Sequence, residues 1–98
     1  MSFIQLVEFK TTQIEAMFEL DQKWRDATEG KRTATAATMT RDRDKPDTYL
    51  WLIEFPSSDA AMRNGQLPET QAISQEMMNV CDGEPIFRNL EVIEKREL

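Results

Sequence analysis

The side chains able to do chemistry in this chain are few, and their types exclude much. There is no histidine, and Cys81 is the one cysteine. The carboxylates are numerous but scattered; as oxygen ligands they suit Mg²⁺ or Ca²⁺, yet they show no ligand spacing, so no metal site is expected. No Gly-rich phosphate loop occurs, and Cys81 reads as a small buried thiol late in a helix rather than a nucleophile. What remains is a set of aromatics with polar neighbours: Trp24, then Tyr49, Trp51, Glu54, Phe55, Arg63 and Asn64 close together in sequence. Each also has a purely structural reading. Trp24 lies on a helical apolar stripe, Trp51 and Phe55 fit a strand core, and Asn64 before Gly65 fits a helix end. Arg63 and Glu54 fit a charged surface, and Tyr49 has an apolar ring with a polar tip.

The 98 residues suffice for one domain spanning 1–98, since so short a chain cannot divide its apolar residues between two cores. A formal net charge of −6 leaves no surplus of Lys and Arg to displace counterions, which argues against a nucleic-acid partner. Arg41-Asp42-Arg43-Asp44-Lys45 is a loop of mixed sign rather than a basic patch. No apolar run approaches the roughly 20 residues of a membrane span, and the N-terminus lacks a signal-peptide pattern. No membrane association is expected, and the predicted location is cytoplasmic.

These residues need elements to hold them, and the densest apolar run supplies the central one. In Tyr49-Leu-Trp-Leu-Ile-Glu-Phe55, period two puts Tyr49, Trp51, Ile53 and Phe55 on one side and Leu50 and Leu52 on the other. Ser2 to Lys10 alternates similarly, with Phe3, Val7 and Phe9 opposite Ile4 and Leu6, and Gln5 and Glu8 as polar interruptions. Thr12-Gln-Ile-Glu15 has capping-box spacing, and Ile14, Met17, Phe18, Trp24 and Ala27 recur at helical spacing, predicting a helix over about 12–29 with Gly30 past its end. Thr33 to Thr40 reads as a strand with a bulge near Ala36-Ala37 that would restore one apolar face; a weak helix competes over Ala34–Met39. After a serine cap near Ser57-Ser58, a short helix should stop at Asn64-Gly65. Pro68 then opens another, with Ala72, Ile73, Met77, Val80 and Cys81 on its stripe. Met17, Met62 and Met77 fit core-facing positions, and Ile86 to Lys95 reads as the last strand.

Strand, helix, strand, strand, helix, strand is the split βαβ order. It predicts an α+β, ferredoxin-like βαββαβ sandwich with a four-stranded antiparallel sheet and its helices on one face. The other face would then be bare, yet two strands are apolar on both sides. A second copy is the simplest cover, so a homodimer is expected.

The length, the element order, and Leu52-Ile-Glu-Phe-Pro-Ser-Ser-Asp-Ala-Ala-Met62 running into Asn64-Gly-Gln-Leu-Pro68 resemble the dimeric α+β barrel superfamily, and within it the antibiotic-biosynthesis monooxygenase-like small proteins. That resemblance implies two subunits joined into an α+β barrel and, for some members, oxidation of quinols and polyketide phenols without a cofactor. Haem-degrading relatives use an axial His with an Asn on the first strand; this chain has no His, and Gln5 on that strand, so haem is disfavoured. An oxygenase site needs apolar walls for a flat ring, a base, and donors for negative charge on oxygen. Under this resemblance Trp24, Trp51, Phe55 and Arg63 are the substrate-binding candidates, and Tyr49, Glu54 and Asn64 the catalytic ones. No cofactor is implied. Two alternatives stay open: a non-catalytic binding or regulatory dimer that recognises an apolar metabolite, and a structural or interaction module with a solid core. A cavity that receives Tyr49 and Trp51 would separate the first two functions from the third.

Overall fold

In the computed structural model, which describes residues 2–98, the chain runs β1 (Phe3–Lys10), α1 (Ile14–Ala27), β2 (Ala36–Arg41), β3 (Thr48–Phe55), α2 (Ser58–Gln66), α3 (Pro68–Val80) and β4 (Ile86–Glu91). The strands form one antiparallel sheet in the order β2-β3-β1-β4, with the two doubly apolar strands in the centre. Register decides which side chains share a face. Phe3 pairs with Phe55, Gln5 with Ile53, Val7 with Trp51 and Phe9 with Tyr49, and this row faces the helices. The alternate row, with Ile4, Leu6, Leu50 and Leu52 and the half-exposed Ile86 and Leu90 beside them, faces away from every helix.

The helical layer bears on the sheet at two places. At one, Met17 of α1 and Met77 of α3 bury against Val7 and Phe9; at the other, Ala60 of α2 buries against Phe3 and Phe55. These side chains are the buried apolar core among the described residues. The Phe, Val and Met side chains among them gain about 1.5–3 kcal/mol each when fully removed from water.

Local structure departs from the sequence expectations in specific ways. β2 pairs with β3 without a slip, Ala37 opposite Ile53 and Met39 opposite Trp51, so there is no bulge at Ala36-Ala37; Ala34 simply precedes the strand. Helix α1 is shorter than 12–29 and begins after Gln13, with no side-chain cap. Thr11, not Thr12, organises that corner: its fully buried hydroxyl donates to the Val80 carbonyl at 2.7 Å and accepts from the Gln13 N–H at 2.9 Å. Gly65 lies inside α2 and stops nothing. The stop is Pro68, which forces Leu67 out of helical geometry (ψ 131°) and itself opens α3. The Ser57 cap forms, its hydroxyl accepting from the Ala60 N–H at 3.1 Å. β4 ends at Glu91, short of Lys95, and Met62 points to solvent at 62% exposure rather than into the core.

The Thr11 hydroxyl therefore closes the seam between the end of β1 and the end of α3. Thr11→Val keeps the shape but leaves the Val80 carbonyl without its donor, a cost of about 1–3 kcal/mol. The expected result is a lower Tm by about 4–8 °C per kcal/mol, read by calorimetry, with the far-UV circular dichroism unchanged.

Candidate active site

Between the two places where helices touch the sheet, the layers stand apart. The helix-facing row of β1 reads Phe3, Gln5, Val7, Phe9, and the polar Gln5 falls in the gap. Small side chains, Ala34 and Ala37, replace bulk on the β2 side. The result is a cavity of about 360 Å³ with Val7, Trp51 and Ile53 from the sheet, Ile73 and Met77 from α3, Trp24 from α1 and Phe87 from β4 on its walls. Its volume is at the small end of the range of about 300–1,000 Å³ for ligand sites, right for a flat molecule of few rings.

The charged lining comes from α1 and the turn after it. Asp21, Trp24 and Arg25 occupy one helical face by their spacing of three and four residues. Arg25 Nε meets Asp21 Oδ2 at 3.1 Å, and Arg25 Nη2 donates to Gln22 Oε1 at 2.9 Å. Burial pushes the Asp21 carboxyl above the ordinary carboxylate range, against the lowering pull of Arg25 and Arg32. The Trp24 indole N–H donates to Thr70 Oγ1 on α3 at 2.9 Å, which fixes the ring over the cavity. The buried Thr28 hydroxyl donates to the Trp24 carbonyl at 2.6 Å, and the Arg32 N–H donates to the Thr28 carbonyl at 2.9 Å. With Gly30 at φ +80°, where a side chain would be strained, this turn folds the chain back. Arg32 is thereby laid across the Trp24 ring, its guanidinium carbon 5.9 Å from the ring centroid, with Nη1 donating to the Arg25 carbonyl at 2.8 Å. Asn64, buried on α2, adds an amide whose Oδ1 accepts from the Thr33 N–H at 3.4 Å.

Neither a protein-family model nor a curated protein matches the chain. Solved structures do. SnoaB of Streptomyces nogalater, a cofactor-independent oxygenase solved as an asparagine-to-alanine variant, is 15% identical and superposes over 96% of this chain and 95% of its own, with a TM-score of 0.77. Rv0793 of Mycobacterium tuberculosis is 9% identical over 99% and 100%, with a TM-score of 0.78. A candidate antibiotic biosynthesis monooxygenase of Caulobacter crescentus is 17% identical over 95% and 91%, with a TM-score of 0.77. The chain shares the ferredoxin-like α+β fold of these proteins.

Within that fold the structure divides the residues singled out from sequence. Trp24, Trp51 and Asn64 line the cavity. Tyr49 does not; its ring stacks on Phe9 at 5.6 Å, beyond the Met17 contact and beside the loop at Asp47. Glu54 stands on the opposite face of β3, pairing with Ile4 and Ala36, so the sheet itself separates it from the cavity. Phe55 is buried with Phe3 and Ala60, and Arg63 is exposed on α2. Sequence reading missed Asp21, Arg25, Arg32 and Thr70. The signal was present as an Asp-Trp-Arg face on α1, but an i,i+4 ion pair on a helix is a common surface feature. Cys81 caps α3, half-buried, and burial together with Asp82 raises its thiol pKa, which keeps it protonated and inert. Among the described residues no group of three or more His, Cys, Asp or Glu side chains stands together as a metal site.

The raised pKa of Asp21 has a measurable sign. The native state holds this proton more tightly than the unfolded chain, so the contribution to stability is complete below the unfolded value and is lost as pH rises through the native one. Asp21→Asn removes this titration. Urea unfolding from about pH 4 to about pH 8 should therefore show wild-type stability falling relative to the variant as pH rises. Wild-type stability rising relative to the variant as pH rises would instead make Asp21 an ordinary ion-pair partner of Arg25.

Proposed function

We propose that this protein is a small homodimeric oxygenase that oxidises an electron-rich aromatic, of phenol or quinol type, in the cavity between α1, α3 and the sheet, without a cofactor. The observation that carries this reading is a carboxylate made more basic by burial, Asp21, on the wall of an aromatic-lined cavity. SnoaB, of the same fold, is a cofactor-independent oxygenase, which supports the reaction class.

The chemistry follows from the lining. A flat ring lies between Trp24 and Trp51, where stacking and exclusion of water hold it. Asp21 accepts the phenolic proton, and the resulting anion is the electron-rich form that gives electrons to O₂. For a phenol with a free para carbon, one oxygen atom of O₂ becomes the new carbonyl of a quinone. The other leaves as water with the phenolic hydrogen and the ring hydrogen, and the substrate supplies all four electrons. Asn64, Gln5 and Arg25 supply donors for negative charge on oxygen. Tyr49, Glu54, Phe55 and Arg63 stand outside this cavity and take structural roles in this proposal.

A second reading, a dimer that binds an aromatic without turning it over, is favoured by the Arg25–Asp21 contact of 3.1 Å, which already occupies the carboxylate. The homodimer itself rests on the uncovered sheet face, where Leu6 and Leu52 are cross-strand partners at the centre of a row of Ile and Leu side chains. Two such faces are self-complementary, and burial there yields about 25 cal/mol per Å² before association costs.

Oxygen uptake measured across a panel of phenols, naphthols and hydroquinones should show consumption matched by quinone formation. Asp21→Asn should lower kcat by about 10²–10⁴-fold. Binding without oxygen uptake would leave the second reading. Sedimentation equilibrium at micromolar concentration should give twice the 11.4 kDa chain mass, and Leu52→Glu, which puts charge at the middle of the open face, should give a monomer.

A further inference from the structure

We propose that the cavity selects aromatics bearing a negative charge and that Arg32 is the residue that reads that charge; this deepens, and rests on, the aromatic-binding reading above. Three ionisable side chains line the cavity: Asp21, Arg25 and Arg32. Asp21 and Arg25 neutralise one another at 3.1 Å, and Arg25 is further committed to Gln22. Arg32 has no carboxylate within ion-pair distance among the described residues. Its sequence neighbour Lys31 is paired with Glu69 at 2.7 Å, so the adjacent surface charges cancel as well. The wall therefore carries two guanidinium groups to one carboxylate, a surplus of one positive charge, in a chain whose net charge is −6.

Arg32 is also held for the task. The turn built on Thr28 and Gly30 brings it back over Trp24, its Nη1 donates to the Arg25 carbonyl, and the indole face lies beneath the guanidinium. A guanidinium has five N–H donors in a planar fork, so one committed donor leaves capacity for a carboxylate, which it can bind in bidentate fashion. A ring stacked on Trp24 places an acidic substituent within reach of this fork. Asp21 does not oppose such a ligand strongly, because Arg25 already balances it.

The test is calorimetric titration of the full chain with hydroxynaphthoate and with its methyl ester, a pair that differs in charge and little in ring shape. Wild-type protein should bind the acid at least about tenfold more tightly than the ester, equivalent to about 1.4 kcal/mol. Raising NaCl from about 50 to about 500 mM should shrink that ratio, since the contact is near solvent. In Arg32→Gln the ratio should fall to about threefold or less while ester affinity holds, and Arg32→Lys should recover part of it. Retained ester binding reports that the variant cavity is intact. Equal binding of acid and ester by the wild type, or a preference that survives in Arg32→Gln, overturns the proposal while the aromatic-binding reading stands. Failure of both ligands to bind the wild type overturns both.

Discussion

Everything about the candidate site depends on how the helical layer rests on the sheet. It rests at two ends, through Met17 and Met77 on Val7 and Phe9, and through Ala60 on Phe3 and Phe55. The middle of the sheet is spanned rather than covered. Gln5 occupies the helix-facing position there, opposite Ile53, where an apolar side chain would have drawn the layers together. Trp24, held by Thr70, roofs the gap and keeps α1 and α3 in fixed relation across it. A packed interior ordinarily leaves no void larger than a water. A cavity of about 360 Å³ with an aromatic roof and floor is thus a consequence of small and polar residues placed at the one rung between two tight contacts.

The electrostatics of the cavity come from one helix face and one turn. Asp21 and Arg25, four residues apart, pair along α1, and the chain reversal after Thr28 returns Arg32 to the same spot. Burial raises the cost of the Asp21 charge, and the two guanidinium groups offset that cost only in part, so its proton is held more tightly than in water. The carboxylate is therefore a stronger base than an ordinary aspartate. The same helix carries Lys23 on its outer side, paired with Glu76 at 3.0 Å in a solvated contact worth little. Position relative to the cavity, rather than residue type, separates the two ion pairs.

The fold was legible because its signals are local or repeated. Alternation in Phe3–Lys10 and Tyr49–Phe55, helical spacing in the segments that follow each, and the order of elements were enough for sheet, layer and bare face. Features set by contacts between distant residues were not legible. The Thr11 hydroxyl is a cap for α3 because Val80 lies beside it, 69 residues away in sequence, and nothing near Thr11 says so. Gly65 has the composition of a helix stop, but Pro68, three residues later, is the stronger constraint, since its ring excludes helical geometry at Leu67. In the site, Trp24, Trp51 and Asn64 were found as aromatics or amides in apolar settings. Glu54 and Arg63 were chosen for nearness in sequence to Trp51 and Asn64, and period two then carried Glu54 to the other face. Asp21 and Arg32 were hidden because the first looks like an exposed helix charge and the second like part of a loop. Gln5 was visible as a lone polar residue among inward-facing apolar ones, and that interruption is the best sequence mark of the gap.

The two central strands serve two surfaces at once, and this couples them. In β1 and β3 odd-numbered residues line the core and cavity, and even-numbered residues form the open face, so the floor of the cavity and the uncovered Leu6 and Leu52 belong to the same backbones. Both surfaces leave stability unrealised in the isolated chain: the cavity forfeits dispersion contacts, and the open face leaves leucine and isoleucine in water. An occupant of either surface stabilises the folded state by binding to it and not to the unfolded chain. A partner subunit on the open face would restrain the same strands that position Val7 and Trp51, and a ring in the cavity would restrain them from the other side.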